Sequence, residues 1–220
     1  FRAIYHRGYF LAVKLFPDLV GWCYRLTDVH LTDKGMIADF TDWIEDTVCH
    51  RFVDQIREES KNVDIIVSTH FLTTGILGRM RLRGELTKPI VTVVTDRHPH
   101  SIWLDPCSDL IMVANQKAAR AAYERGINPA TVFVTGIPVG KEFSKRFSPT
   151  KGMEKTVLVT GGGDGIGDME RIVKYLLQNH NLNVIVVCGN NEILEKRLAK
   201  LNNQRLKVIG YTDRMHELMQ

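Results

Sequence analysis

Residues 156–187 read TVLVTGGGDGIGDMERIVKYLLQNHNLNVIVV, and this stretch decides the fold. Thr156 to Thr160 is a short apolar and β-branched run, the composition of a buried strand. A glycine loop follows from Gly161 to Gly167, then a helix from Met169 to Asn179 and a second strand from Asn183 to Val187. Continuous apolar strands joined through helices belong to a parallel sheet, because both faces must be covered and a helical crossover supplies the cover.

The same alternation runs outward in both directions. Downstream come a helix from Glu192 to Leu201 and a strand from Leu206 to Ile209. Upstream, Asp64 to Ser68 (DIIVS) is a strand, followed by a helix from about His70 to Arg83, and Pro89 to Thr95 (PIVTVVT) is a second strand. Leu110 to Ala114 is a third, leading into a helix from Gln116 to Arg125 that Gly126 stops, and Thr131 to Thr135 is a fourth, ending at Gly136. The fold class is therefore α/β, with two doubly wound parallel-sheet domains. The polar stretch 143–152 (FSKRFSPTKG), with Pro149 and Gly152, has the composition of a hinge. It divides the chain into a first domain over 1–140, a linker over 141–152 and a second domain over 153–220. That second domain holds about three strands where a complete doubly wound unit has five or six. It is expected to be cut short, and the start at Phe1 without a methionine suggests that the first domain lacks its first strand too.

Composition narrows the class. The 220 residues are 44% hydrophobic and 25% charged, which excludes a disordered chain, a collagen-like repeat and a coiled coil. A net charge of +4 is too mild for a dedicated nucleic-acid binder. Four cysteines without a CxxC pair read as reduced thiols of a cytosolic protein. The most apolar stretch, Tyr9 to Tyr24, is broken by Lys14, Pro17 and Asp18, short of the roughly 18 apolar residues of a spanning helix. Basic residues cluster between Arg79 and Lys88 (Arg79, Arg81, Arg83, Lys88). They also lie between Phe1 and Thr27 (Arg2, Arg7, Lys14, Arg25), where they alternate with aromatics. Cations mixed with aromatics suit the interface of an anionic membrane. On the residues alone, a core-facing helix with a solvated basic face accounts for them better.

Two loops carry the candidate chemistry. In Gly161–Gly167, glycines let backbone N–H groups approach an anion beside a helix N-terminus. No Gly-Lys-Ser/Thr follows, so this is not a Walker A loop. Ile166 stands where the GxGxxG register needs its third glycine. The next strand ends Val187-Cys188-Gly189-Asn190 without the acidic residue that grips a dinucleotide ribose, which argues against NAD. A diphosphate loop for another nucleotide ligand remains, beside the plain alternative of a tight strand-to-helix turn. The other loop is TDRHPHSIW (95–103), at the carboxyl end of a strand, where open parallel sheets bind ligands. Asp96 or His100 can accept a proton from a hydroxyl nucleophile, and Trp103 can wall a lipid or a sugar. In the bland alternative Asp96 caps the loop while His98 and His100 are solvated. One residue between the two histidines, with no third ligand nearby, is poor zinc geometry. Ser68-Thr69-His70 ends another strand of the same domain, where His70 either starts the helix or touches the acceptor. Gly210 to Met215 ends the last strand, where Tyr211 either flanks a base or packs.

Two such domains with a GGGxGxG loop opening the second resemble the GT-B glycosyltransferases, with their paired Rossmann-like domains. More narrowly, VSTH (67–70), VTVVTDRHPHSIW (91–103), VTGIPV (134–139), VTGGGDGIG (159–167), VVCGNN (186–191) and GYTDRMHELM (210–219) resemble the monogalactosyldiacylglycerol synthase and diacylglycerol glucosyltransferase group. These blocks come in family order over nearly the whole chain. The resemblance implies transfer of a hexose from UDP-glucose or UDP-galactose to diacylglycerol, at the cytoplasmic face of an anionic membrane. It implies a peripheral enzyme with no transmembrane helix, cofactor, catalytic metal or nucleic-acid partner. Carried over residue by residue, it implies Asp96 and His100 as catalytic, with His70 and Trp103 on the acceptor. Gly161, Gly162, Gly163, Gly165, Gly189, Asn190, Tyr211, Thr212 and Met215 would lie on the donor. The family's early glycine-rich loop with a histidine has no counterpart before Phe1, and its later Pro-Gly-Gly donor segment is absent before Gln220. The expectation is a fragment with little activity of its own. The rival readings are a lipid I N-acetylglucosaminyltransferase, a UDP-sugar 2-epimerase, and a non-catalytic lipid- or nucleotide-binding fragment.

Overall fold

The computed structural model describes Asp28, residues 49–144 and residues 155–219. The aromatic and basic stretch 1–27 and most of the hinge stretch, 145–152, lie outside the described residues. The chain forms two compact units, Phe1–Pro138 and Val139–Gln220.

In the first unit the elements run α1 (His50–Glu59), β1 (Ile66–Ser68), α2 (Phe71–Leu82), β2 (Ile90–Val93), β3 (Leu110–Val113), α3 (Gln116–Glu124) and β4 (Val132–Val134). The strands form one sheet in the order β1-β2-β3-β4, every pair parallel. All four residues of β2 are buried, as a strand covered on both faces requires, and its sequence IVTV is accordingly an unbroken β-forming run. β1, at the end of the sheet among the described residues, instead leaves Val67 56% exposed. One core cluster joins β3 to α3 through Ile111, Val113, Ala118, Ala119 and Ala122; the small face of α3 lets helix and sheet approach closely. A second seats α1 on α2 through Val53, Ile76, Leu77 and Met80.

The second unit runs β5 (Thr156–Thr160), α4 (Met169–Asn179), β6 (Asn183–Val187), α5 (Glu192–Ala199), β7 (Leu206–Ile209) and α6 (Met215–Leu218), with a parallel sheet in the order β5-β6-β7. Val159, Val173, Leu177, Val184, Val186 and Leu198 form its core. Arg205, just before β7, donates to the carbonyls of Leu177 and His180, both at 2.7 Å, closing the C-terminus of α4.

The predicted α/β architecture is present in both units, and β5, α4, β6 and β7 begin and end at the expected residues. Other elements are shorter at their ends, where pairing and helical bonds give out. One connection departs from the usual pattern. Residues 94–109, between β2 and β3, carry no α-helix, only a 3₁₀ turn at Ser101–Trp103.

Candidate functional site

Asp96 follows β2 and is half-buried. Its Oδ2 accepts the indole N–H of Trp103 at 2.7 Å, while Oδ1 accepts no hydrogen bond among the described residues. The 3₁₀ turn makes this bond possible by folding the chain back within seven residues. Trp103 is 4% exposed and belongs to the core with Val94, Leu104 and Ile111. The expectation that Trp103 offers an open wall to a ligand is therefore corrected. Its ring is consumed by packing, and its N–H orients Asp96. His100 also differs from the solvated residue or accessible proton acceptor read from the sequence. It is 3% exposed, and its Nδ1 accepts the Ile102 N–H at 3.1 Å, capping the 3₁₀ turn. His98 is exposed.

His70, at the end of β1, joins this group from the neighbouring strand. It caps α2, with Nδ1 accepting the Leu72 N–H at 3.2 Å. Its ring stacks on Phe71 with centroids 4.4 Å apart and lies 6.4 Å from that of Trp103. Desolvation lowers the imidazole's affinity for a proton, and the Asp96 carboxylate partly opposes that shift. A chain of buried hydroxyls holds the strand ends in place. Ser68 Oγ donates to the His70 carbonyl at 3.0 Å, Thr74 Oγ1 donates to Ser68 Oγ at 2.9 Å, and Thr92 and Ser108 pair at 2.8 Å.

Two ion pairs, Asp28 with Arg125 and Asp109 with Arg81, brace the loop in ways the sequence did not show. Asp28 takes the Ser101 N–H at 2.9 Å through Oδ1 and grips Arg125 bidentately, at 2.9 Å from Nε and 2.7 Å from Nη2. Arg125, the Ser101 N–H and the nearby His100 hold the Asp28 carboxyl below its ordinary pKa, against the pull of burial. Asp109 Oδ2 accepts from the Ile90 N–H and from Arg81 Nη1, both at 2.7 Å. Arg81 also donates to the carbonyls of Cys107 and Lys88. Of the basic cluster between Arg79 and Lys88, Arg81 is thus an internal strut rather than a free surface cation.

In the second unit the glycine loop leans on the loop after β6. Asn190 N–H donates to Gly163 O at 2.7 Å, and Asn191 Nδ2 donates to Gly165 O at 3.1 Å while its Oδ1 caps α5 at Leu194 N–H. Gly165 and Gly189 have φ of +57° and +59°, and a Cβ on either would stand 2.1–2.2 Å from a backbone oxygen of the facing loop. A Cβ on Gly161 would likewise meet Ile166 O at 2.2 Å. Gly165 and Gly189 serve loop-to-loop packing, whereas Gly161 is crowded by its own loop. Gly163 is different: its φ is not left-handed, and a Cβ there would meet nothing within 4 Å. Gly162 also faces open space, with φ of +73°. At the end of β7, Tyr211 is 68% exposed, Thr212 Oγ1 accepts the Arg214 N–H at 3.1 Å, and Met215 opens α6.

Among the described residues, no three His, Cys, Asp or Glu side chains converge as a metal site, and no helix is long and apolar enough to cross a membrane.

Two parallel-sheet units of this kind define the GT-B glycosyltransferase fold. Anabaena HepE in complex with UDP and glucose superposes with a TM-score of 0.52 over 76% of this chain and 53% of its own, at 14% sequence identity. The same protein with UDP-glucose gives 0.50 over the same shares. The chain belongs to the monogalactosyldiacylglycerol (MGDG) synthase family, whose model matches residues 2–139. The processive diacylglycerol beta-glucosyltransferase of Staphylococcus aureus strain bovine RF122 / ET3-1 is 29% identical over 168 residues, and so is that of strain Newman. The aligned stretch is 71% of this chain and 42% of either relative, so the chain spans well under half the length of the curated relatives it matches.

Proposed function

We propose that the protein carrying this chain transfers a hexose from a UDP-sugar, UDP-glucose or UDP-galactose, to the free hydroxyl of diacylglycerol, at the cytoplasmic face of an anionic membrane. The observation that carries this reading is Asp96. Within the region matched by the family, it stands at the carboxyl end of β2 with one oxygen anchored and the other accepting no hydrogen bond among the described residues. In the reaction the lipid hydroxyl oxygen bonds to the anomeric carbon, and the bond from that carbon to the UDP oxygen breaks. UDP leaves with the electron pair, and Asp96 takes the hydroxyl proton. The anchored oxygen fixes the direction of the open one, so the base is positioned before substrate arrives.

The donor diphosphate rests over Gly162 and Gly163, where space is left open, with Asn190 and the 211–215 segment beside it. The step requires neither cofactor nor metal. The aromatic and basic residues of 1–27 serve as a peripheral membrane anchor, which their alternation supports.

The test uses the natural full-length gene product with diacylglycerol in anionic liposomes and each UDP-hexose in turn, read by mass spectrometry. Hexosyl-diacylglycerol that vanishes with Asp96→Ala is the expected result. Product with neither sugar, from folded and liposome-bound protein, would move the reading to another acceptor. Transfer to lipid I, or epimerised UDP-sugar without transfer, would identify the corresponding rival.

A further inference from the structure

His70 and His100 occupy equivalent places at the ends of neighbouring strands. Each precedes a helical turn, and each accepts through Nδ1 the backbone N–H two residues on, from Leu72 at 3.2 Å and Ile102 at 3.1 Å. A neutral imidazole has one N–H and one nitrogen lone pair. When Nδ1 accepts, its lone pair is engaged and the ring's single proton resides on Nε2. His100 is buried, whereas His70 is exposed. His70 is also fixed in orientation by Phe71 on one side and by its helix-capping bond on the other.

The geometry points to a specific role for His70: it donates a hydrogen bond through Nε2–H to an oxygen of the bound lipid acceptor, and it does not remove the acceptor's proton. A base needs an open lone pair, and in this ring the lone pair is committed to the backbone of α2. Asp96, one of whose carboxylate oxygens accepts no hydrogen bond among the described residues, complements it, so donor and proton acceptor come from adjacent strand ends. The desolvation that weakens the imidazole's hold on a second proton favours the neutral donor form. The identity of the ligand rests on the glycolipid reading; the tautomer does not.

Two measurements on the full-length protein test this. Long-range proton–nitrogen correlation spectra of histidine-labelled protein at neutral pH, assigned with His70→Gln, read the tautomer of His70. The expected result is an Nε2–H imidazole whose resonance moves on addition of a short-chain diacylglycerol in micelles. An Nδ1–H tautomer, an imidazolium, or an Nε2–H signal indifferent to the lipid overturns the assignment. In the transfer assay, His70→Gln keeps a side-chain N–H donor, and kcat/KM should stay within about fivefold of wild type. His70→Ala should lose about tenfold or more, equivalent to about 1.4 kcal/mol. Equal losses in the two variants overturn the donor role. A lipid-induced shift in a wild-type protein that forms no hexosyl-diacylglycerol would retain the donor while sinking the transfer reading.

Discussion

The loop after β2 and the loop after β5 both leave the carboxyl end of a parallel strand, yet they are built from opposite materials. Between Asp96 and Trp103 the defining contacts are made by side chains: a carboxylate on an indole, an imidazole on a backbone N–H. Between Gly161 and Gly167 most contacts run to the backbone, and at Gly161 and Gly165 a side chain is excluded by a backbone oxygen 2.1–2.2 Å from where its Cβ would be. The first loop should therefore tolerate changes that keep its shape and fail when its chemistry changes. In the second, shape is the vulnerable property.

Asp96→Asn is the sharpest test of that contrast. The amide oxygen can still accept from Trp103, so stability should hold, while kcat for glycosyl transfer should fall by about 10²–10⁴ with the loss of the base. Retained kcat would place the base elsewhere and remove the chemical half of the comparison. Next in size is Gly165→Ala, which combines a left-handed φ with a clash against Cys188 O. Urea unfolding should show a loss of about 2 kcal/mol or more. An unchanged midpoint would mean that the two loops do not depend on close approach.

Asp28→Ala should cost about 1–3 kcal/mol by removing a bidentate partner from Arg125 and an acceptor from Ser101 N–H. Its pH dependence has a definite sign. The folded carboxyl titrates below the ordinary value of 3.8, so its contribution is present above that value and is lost as pH falls through the lowered one. The gap between wild type and variant should close in strong acid, and a gap that widens there would contradict the ion pair. The smallest effect on stability belongs to Gly163→Ala, within about 0.5 kcal/mol of wild type because its φ and surroundings accept a methyl group. Titration calorimetry should nevertheless show UDP binding weakened about tenfold, as for the loss of about 1.4 kcal/mol. Unchanged UDP affinity would remove the diphosphate from the space above this loop.

Much of this was legible in the chain. In the second unit β5, α4, β6 and β7 appear at the residues read for them, since Thr156–Thr160 and Asn183–Val187 declare their burial by local composition. The loop 95–103 stood out by its residue types, and so did His70, which does start its helix. What escaped was pairing. Trp103 looked like a wall because nothing in the order DRHPHSIW says that a 3₁₀ turn will bring the indole back to Asp96. Asp28 gave no signal, standing 73 residues before Ser101 and 97 before Arg125. Nor could the chain tell Gly163 from Gly165, two residues away, since only the facing loop after β6 separates the one with open space from the one without.

By itself, then, the sequence determined the α/β class, the parallel strands and the two loops on which chemistry is to be sought, because hydrophobic period, β-branching and glycine content act over a few neighbouring residues. The tertiary structure alone decided which side chains in those loops are buried and which are offered outward. It also decided which nitrogen of His70 faces the backbone of α2 and which glycines of the loop after β5 have open space beside them. Those properties depend on atoms brought close from distant parts of the chain, and on the solvent such contacts exclude.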